Sequence, residues 1–373
     1  MSGAPRHLLH VFSTFCAAGP QVRTALLMRA FGDGFRHTVV ACDGRTEASE
    51  LAVGVDLRLR AFEPASGPVG AVRSFRGLLD EEQPDLLLTY NWGAMDAVLA
   101  ARTSGLRRHV HHEDGFNADE SEKLKGRRNW TRRVSLAGRD LVVPSSKLEA
   151  IAERTWRLGR VHLIPNGIDA DRFDHDPAAG AAFRAAHGVP ADAFVVGAVG
   201  HLRPVKNFGR LIRAAAGAPW PEGCRPHLVI VGAGPEESAL RAAADRRGDL
   251  GVTFTGHLED LRPAYSAMDA FALSSDSEQQ PVSLLEAMAA GRPVAATDVG
   301  DIAATLPPEA RTGAVPLGPA AEGQLGAALA ALAEDPERAA ALGAAGRARV
   351  TADFSLDAMV ERYRDVYESA MAR

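Results

Sequence analysis

Residues 274–291 have the sequence SSDSEQQPVSLLEAMAAG, which predicts a polar loop followed by a helix. A short apolar run, Ala270–Leu273, precedes the loop as a buried strand, and Gly291 ends the helix. Ligands in open α/β sheets bind at the carboxyl ends of strands, and helix N-termini favour anions. Glu278 and Glu286 are therefore expected beside a phosphate, where they accept hydrogen bonds from hydroxyl groups of the same ligand. Phosphate together with a polyol indicates a nucleotide or a nucleotide sugar.

The spacing of these acids also carries a family resemblance. Glu278 and Glu286 are separated by seven residues, and Ala-Met-Ala and Gly-x-Pro-Val follow the second acid. This pattern resembles the motif of retaining glycosyltransferase family 4. The resemblance implies that Glu278 contacts hydroxyls of the donor sugar and that Glu286 contacts the ribose. The family's usual Gly-Phe-Gly is replaced here by Gln279-Gln280-Pro281.

Composition sets the class of protein. A chain of 373 residues is long enough for two domains, each with its own core. The hydrophobic content of 46% and the net charge of -5 favour a soluble globular protein and argue against a general nucleic-acid binder. The sequence has neither an apolar run of membrane-spanning length nor a signal-peptide core, so a cytoplasmic location is expected. The three cysteines lack metal-ligand spacing, which predicts no structural zinc.

Short apolar runs alternate with helical segments along both halves of the chain. This pattern predicts two parallel, doubly wound sheets. Gly19 lies at the first turn from strand to helix, where a glycine lets a ligand approach backbone amides. The expected strands are 7–12, 38–42, 85–89, 108–111, 140–143 and 161–164 in the first half, and 194–199, 227–231, 252–255, 269–273, 293–297 and 314–317 in the second.

Titratable residues crowd the end of the fourth of these strands, in the segment 109–116. Lone histidines usually have structural roles, but a cluster beside Gly115 at a strand end is also typical of an active site. In the resembling family this position often has Glu-His-Gly, which aligns Asp114 with the family's histidine. Either Asp114 or His112 could act near the reacting centre, and the sequence leaves both open.

A basic stretch, residues 123–134, contains Trp130 and no acid. One interpretation is a solvated helix face. The other is a surface that meets an anionic membrane or a phosphate-bearing acceptor, since each cation near an anionic leaflet contributes about 1 kcal/mol. In that case the protein contacts the inner face of the membrane without spanning it.

The turn Pro165-Asn166-Gly167-Ile168-Asp169 predicts the connection between domains. It is similar to the interdomain linker of family 4. We expect one Rossmann-like domain over 1–166 that binds the acceptor and another over 167–354 that binds the donor. The terminal helix, 355–373, would return to complete the first domain, as in the resembling fold.

Arg203 and Lys206 stand between a strand and a helix, close enough in sequence to reach one pyrophosphate through charge-assisted bonds. The resemblance implies the same role. It also assigns donor contacts to Gly200, to the backbone of His257 and Leu258, and to four residues of the loop and helix already quoted. Those four residues are Gln280, Val282, Ser283 and Leu284.

The resemblance implies a GT-B architecture, with two Rossmann-like domains facing across a cleft. The expected reaction is transfer of a sugar from a nucleoside diphosphate sugar to an acceptor hydroxyl, with retention and without a metal cofactor. Lipid-linked or polysaccharide-precursor acceptors are the first expectation. A sugar-nucleotide epimerase or phosphorylase on the same fold, or a nucleotide-sugar binding module without turnover, remain alternatives because fold alone does not fix chemistry.

Overall fold

The computed structural model describes residues 4–116, 120, 125–246, 248 and 250–373. These residues form two compact units. The N-terminal unit contains the described residues up to Asn166 together with Asp357–Arg373, and the C-terminal unit contains Gly167–Leu356. Both are built on a parallel sheet with helices.

The sheet of the N-terminal unit has, among the described residues, seven parallel strands in the order β3-β2-β1-β4-β5-β6-β7. These strands are β1 Arg6–Phe12, β2 Phe35–Ala41, β3 Leu57–Leu59, β4 Leu86–Tyr90, β5 His109–His112, β6 Asp140–Val143 and β7 Val161–Leu163. The helices between them are α1 Gly19–Phe31, α2 Pro68–Glu82, α3 Met95–Thr103, α4 Gly126–Ser135 and α5 Ser146–Arg154.

The described part of the C-terminal unit has six parallel strands in the order β10-β9-β8-β11-β12-β13. The strands are β8 Phe194–Val199, β9 Pro226–Val231, β10 Gly251–Gly256, β11 Ala270–Leu273, β12 Val294–Thr297 and β13 Ala314–Val315. The helices are α6 Pro177–Ala186, α7 Phe208–Ala216, α8 Glu237–Asp245, α9 Arg262–Ala267, α10 Val282–Ala289, α11 Ile302–Thr305, α12 Ala321–Glu334 and α13 Pro336–Asp353.

Successive residues of the central strand β8 point to opposite faces of its sheet. Val195 and Val199 pack in one hydrophobic cluster, whereas Val196 and Ala198 pack in another. Helices therefore cover both faces, which explains why this strand is a continuous apolar run. The predicted doubly wound architecture is confirmed.

The last helix, α14 Leu356–Met371, packs on the sheet of the N-terminal unit. The Tyr367 hydroxyl lies 2.9 Å from Nε2 of His112, and Arg6 forms an ion pair with Glu368 at 3.1 Å. This face of the sheet carries buried histidines as well as apolar side chains. His10, for example, lies 2.9 Å from the Tyr90 hydroxyl and 3.0 Å from Nδ1 of His37.

Most predicted strands match the observed ones to within one residue at each end, but β13 ends two residues earlier than predicted, and three other features also differ. The edge strand β3 was not predicted, because its three residues, Leu57–Leu59, are too few to stand out as a strand even though apolar and charged side chains alternate in them. Gly19, which was expected in the turn before the first helix, is the first residue of α1. The strand predicted at 38–42 begins earlier, at Phe35. None of the helices in the described ranges is long and apolar enough to cross a lipid bilayer.

Candidate functional site

In the sheet of the C-terminal unit, the order in which successive strands are added reverses between β8 and β11. Later strands add on one side of β8 up to β10, and then on its other side from β11 onwards. The two loops that leave these neighbouring strands, 200–207 and 274–281, diverge at the carboxyl edge of the sheet. Such a switch point is where doubly wound sheets bind ligands. The quoted loop and the Arg203–Lys206 loop are therefore neighbours.

Lys206 and Glu278 meet at this switch point. The Lys206 ammonium donates to Oε1 of Glu278 at 2.5 Å, and the Ser275 hydroxyl donates to the same oxygen at 2.7 Å. The side chains are 22% and 10% exposed, so the pair is partly shielded from water. The exposed guanidinium of Arg203 makes no hydrogen bond or ion pair with the described part of the chain. The two predicted cations thus differ, since a carboxylate already balances only Lys206.

A second pair of charges holds the two loops together. Arg210 donates to the carbonyl of Ser274 at 2.8 Å and forms an ion pair with Asp276 at 2.5 Å. The backbone amide of Asp276 in turn donates to the carbonyl of Val205 at 2.8 Å. Neither Arg210 nor Asp276 was predicted as a site residue. Their only local signal was an acid in the loop and a base in the first turn of α7.

Glycines allow the neighbouring loops to approach this site. Gly300 has a φ of 62°, and a Cβ there would lie 2.4 Å from the carbonyl oxygens of Glu278 and Gln279. The amide of Asp301 donates to the Gln279 carbonyl at 2.8 Å. A Cβ at Gly232 would lie 2.0 Å from the carbonyl oxygen of Gly200. The loop that contains Glu278 is thus fixed from the β12 side by backbone contacts.

Glu286 lies in α10 and is held by a buried tyrosine of α9. The Tyr265 hydroxyl donates to Oε2 of Glu286 at 2.7 Å. Burial raises the pKa of Glu286 above its usual value, while the hydrogen bond from Tyr265 and the charge of Arg172 oppose that shift. The carboxylate therefore has one oxygen engaged by the protein and one left for a ligand.

The other residues of this loop and helix that were predicted to contact a donor have different surroundings. Val282 and Ser283 form the first turn of α10, whose amides a helix leaves without helical partners. Gln280 is 6% exposed, and Leu284 is fully buried in the core. The Leu284 amide donates to the Pro281 carbonyl at 3.1 Å, so neither its side chain nor its amide is presented to a ligand.

Two further predicted donor contacts follow the end of β10. Exposed His257 and half-buried Leu258 come directly after this strand, at the same edge of the sheet as the switch point. Leu258 packs against the hydrophobic core. A ligand at this position would therefore meet the backbone around the exposed His257.

In the N-terminal unit, Asp114 follows β5 and pairs with Arg23 of α1. The two side chains are 8% and 6% exposed, and their closest atoms are 2.6 Å apart. The amide of Asp114 donates to Oδ1 of Asn91 at 2.7 Å, and Arg23 also donates to Oδ1 of Asn166 at 3.1 Å. Oδ2 of Asp114 is buried without a hydrogen-bond partner in the residues described. Gly19 is exposed at the start of the same helix.

His112 has a different environment from Asp114. It is 1% exposed, its Nδ1 lies 3.2 Å from the Thr89 carbonyl, and its Nε2 lies 2.9 Å from the Tyr367 hydroxyl. Burial and then the charge of Arg23 lower its pKa well below the usual value. A neutral ring with both nitrogens engaged serves packing, whereas Asp114 keeps an oxygen that can accept a hydrogen bond.

The basic stretch forms α4, but its cations do not share one surface. Lys123 and Leu124 lie outside the described residues. Arg132 is completely buried, donates to Glu113 at 2.8 Å and lies 3.5 Å from Glu120. Trp130 is 65% exposed. The interpretation as a continuous basic surface is therefore wrong for Arg132, which is enclosed by three aromatic rings. The rings belong to Trp92, Phe116 and Trp156.

Within the described ranges, no three His, Cys, Asp or Glu side chains are grouped as metal ligands would be. The cations that could balance a bound phosphate are Arg203 and Lys206. The facing loop presents Glu278 to Lys206, and the Ser275 hydroxyl donates to the same carboxylate oxygen.

Comparisons with known proteins identify the family of this chain. A family model described as Glycosyl transferases group 1 matches residues 193–335, and one described as Glycosyltransferase Family 4 matches residues 17–172. The chain is 34% identical to a GDP-mannose-dependent alpha-(1-6)-phosphatidylinositol monomannoside mannosyltransferase of Mycobacterium tuberculosis, over 71% of this chain and 70% of that protein. It is also 34% identical to a D-inositol 3-phosphate glycosyltransferase of Saccharomonospora viridis, over 57% of this chain and 51% of that protein.

A solved structure shares the fold. The crystal structure of HepE from Anabaena in complex with UDP has a TM-score of 0.81 and 18% sequence identity, and the match covers 97% of this chain and all of that one. With a 34% identical relative across more than two thirds of its length and a shared GT-B fold, this chain belongs to the group 1 glycosyltransferases of the family 4 type.

Proposed function

We propose that this protein is a retaining glycosyltransferase that moves a sugar from a nucleoside diphosphate sugar to an acceptor hydroxyl. The observation that carries the proposal is the contact of Lys206 with Glu278 at the switch point. It joins a cation suited to phosphate with a carboxylate suited to sugar hydroxyls. The named activity of the mycobacterial relative, which uses GDP-mannose, supports the same class of donor.

Breakage of the glycosidic bond adds negative charge to the departing diphosphate. Arg203, Lys206 and the first-turn amides of Val282 and Ser283 would stabilise this charge as preorganised groups. Glu278 would accept a hydrogen bond from a hydroxyl of the sugar, and Glu286 from the ribose. Because two cations would fill this role, we propose that transfer needs no divalent metal. Transfer activity that EDTA leaves unchanged would support this proposal. Activity that EDTA removes and Mg²⁺ or Mn²⁺ restores would contradict it.

Retention requires that the new bond forms on the face from which the diphosphate leaves, or that two inversions occur. A double inversion needs a carboxylate nucleophile about 5 Å from a second acid. We favour attack on the front face, guided by the leaving phosphate, because Glu278 is engaged by Lys206 and Ser275. We assign Asp114 rather than His112 to the reacting centre, because, of these two residues, Asp114 alone has a polar side-chain atom without a partner in the described structure.

The acceptor is proposed to be lipid-linked or a surface-polysaccharide precursor. Arg127, Trp130 and Arg133 recur on one face of α4, and all three are exposed. This spacing would let two cations and an indole contact the anionic inner face of the cell membrane. Sedimentation with phosphatidylglycerol vesicles would test it: wild-type protein should bind more than Trp130→Ala, and equal binding would reject the contact.

The proposed donor site is tested by thermal shift with UDP, GDP, ADP and their sugars. GDP is the first base to examine because of the name of the mycobacterial relative. A diphosphate that raises the melting temperature of the wild type, but of neither Arg203→Ala nor Glu286→Ala, would support the site. The control is Arg225→Ala, since Arg225 is exposed and pairs only with Asp192 among the described residues. No shift with any nucleotide would refute the donor site.

A further inference from the structure

We propose that Tyr265 is a positioning residue for the donor: its hydroxyl directs the free oxygen of Glu286 towards the ribose diol. This inference rests on the proposed function, because it takes the ligand of Glu286 to be a nucleoside diphosphate. It adds a residue that belongs to none of the motifs in the sequence.

Tyr265 is completely buried, and its ring is fixed by aromatic neighbours. Its centroid lies 5.8 Å from that of Phe173 at an interplanar angle of 76°, and 6.0 Å from that of Phe271. Edge-to-face packing of this kind restricts the ring to one orientation. The hydroxyl is therefore held at a defined point beside α10.

The hydroxyl has one hydrogen and two acceptors within reach. Oε2 of Glu286 lies 2.7 Å away, and the carbonyl of Ser283 lies 3.3 Å away. The charged and closer acceptor is favoured. With Oε2 engaged, Oε1 is the oxygen of Glu286 that has no hydrogen-bond partner in the described structure. A vicinal diol would donate to this oxygen.

The hydroxyl also acts on the charge of Glu286. Burial raises the pKa of this carboxyl, and the hydrogen bond from Tyr265 lowers it. Without the hydroxyl, the carboxyl would take up a proton at higher pH. A protonated carboxyl accepts hydrogen bonds from a diol less well, so Tyr265 maintains the accepting form as well as its orientation.

The test compares ribose with deoxyribose. Dissociation constants are measured calorimetrically for GDP, UDP and their 2′-deoxy forms with wild type, Tyr265→Phe and Glu286→Gln. We expect the wild type to prefer the ribose form, and both variants to lose about tenfold of that preference, the order of magnitude for a hydrogen bond to a charged group. Tyr363→Phe is the matched control, because the Tyr363 hydroxyl is buried without a partner among the described residues. This control should keep the wild-type preference.

Two outcomes would overturn the role of Tyr265 alone. In one, Tyr265→Phe keeps the full ribose preference while Glu286→Gln loses it. In the other, Tyr265→Phe weakens both sugar forms equally, which is the result expected if the tyrosine serves only packing. If the wild type binds no nucleoside diphosphate, both the proposed function and this inference fail.

A pH profile gives a second measurement on the same variants. Ribose preference should be lost as the pH falls through the pKa of Glu286, and Tyr265→Phe should lose it at higher pH than the wild type. Melting temperatures check that each variant is folded. Tyr265→Phe is expected to fold, because it loses one oxygen and keeps the ring contacts. Profiles that coincide for Tyr265→Phe and the wild type would contradict the proposal.

Discussion

Replacing Glu278 with glutamine should have opposite effects on nucleotide binding and on sugar transfer. The substitution keeps the shape of the side chain and removes the charge that balances Lys206. The ammonium is held at 2.5 Å by this carboxylate. Under the proposed function, a bound diphosphate would compete with this carboxylate for Lys206. We therefore expect Glu278→Gln to bind a nucleoside diphosphate more tightly than the wild type and to transfer sugar more slowly.

The size of the gain follows from the exposure of the pair. Lys206 is 22% and Glu278 10% exposed, so solvent still screens the interaction. Exposed ion pairs contribute about 0.2 to 1 kcal/mol, and this one belongs near the upper end. About 1 kcal/mol corresponds to roughly a fivefold lower dissociation constant. The loss of a charge-assisted bond to a sugar hydroxyl should reduce kcat/KM by about tenfold to 100-fold.

The assay is calorimetric titration of UDP and GDP, followed by steady-state transfer with the sugar of the base that binds. Glu322→Gln is the matched control. It makes the same chemical change in an acid of the same unit, but Glu322 pairs with Arg213 instead of Lys206 and is 41% exposed. Its diphosphate affinity should change less than twofold. Weaker or unchanged diphosphate binding by Glu278→Gln would refute the competition for Lys206.

Three further predictions concern stability and loop geometry. Burial, followed by the charge of His7, lowers the pKa of His37 from 6.5 to about 4. Because the unfolded chain binds this proton more readily, the free energy of unfolding should fall as the pH drops from 6.5 towards 4. The loss should be up to about 1.4 kcal/mol per pH unit. Urea titration of the wild type and His37→Gln would measure it. Gly300→Ala should displace the Glu278 loop and so lower the rate of transfer by about tenfold or more. Gly291→Ala is its control, because Gly291 has a similar φ of 69° but open space at Cβ, so this change should affect only stability. Arg132→Met should cost about 3 to 5 kcal/mol in urea unfolding because it leaves its buried acidic partner uncompensated.

Each of these has a result that would contradict it. A pH dependence that is identical in wild type and His37→Gln would remove that histidine as a cause. Equal transfer rates in Gly300→Ala and Gly291→Ala would show that the carbonyl contact is unimportant. A loss below 1 kcal/mol in Arg132→Met would mean that the carboxylates find other partners.

The central strands and the charged residues of the motifs could be predicted from the sequence. Central parallel strands are buried on both faces, so they appear as uninterrupted apolar runs such as Phe194–Val199. The two acids, Glu278 and Glu286, are close to each other along the chain, and so are the two bases, Arg203 and Lys206. Each pair lies where a loop leads into a helix. Patterns of this local kind are set by burial and by the helix period, which a sequence carries directly.

The partners of those residues depended on the tertiary structure. Lys206 and Glu278 are 72 positions apart, and they meet because β8 and β11 are neighbours in the sheet. Arg132 was predicted to be exposed, but it is buried because Glu113 and Glu120 neutralise it from other segments. A charge run gives no sign of which of its members will find a distant partner. Thus the local pattern determined the elements and the type of site, whereas strand order and side-chain packing decided which charges are paired and which remain free for a ligand.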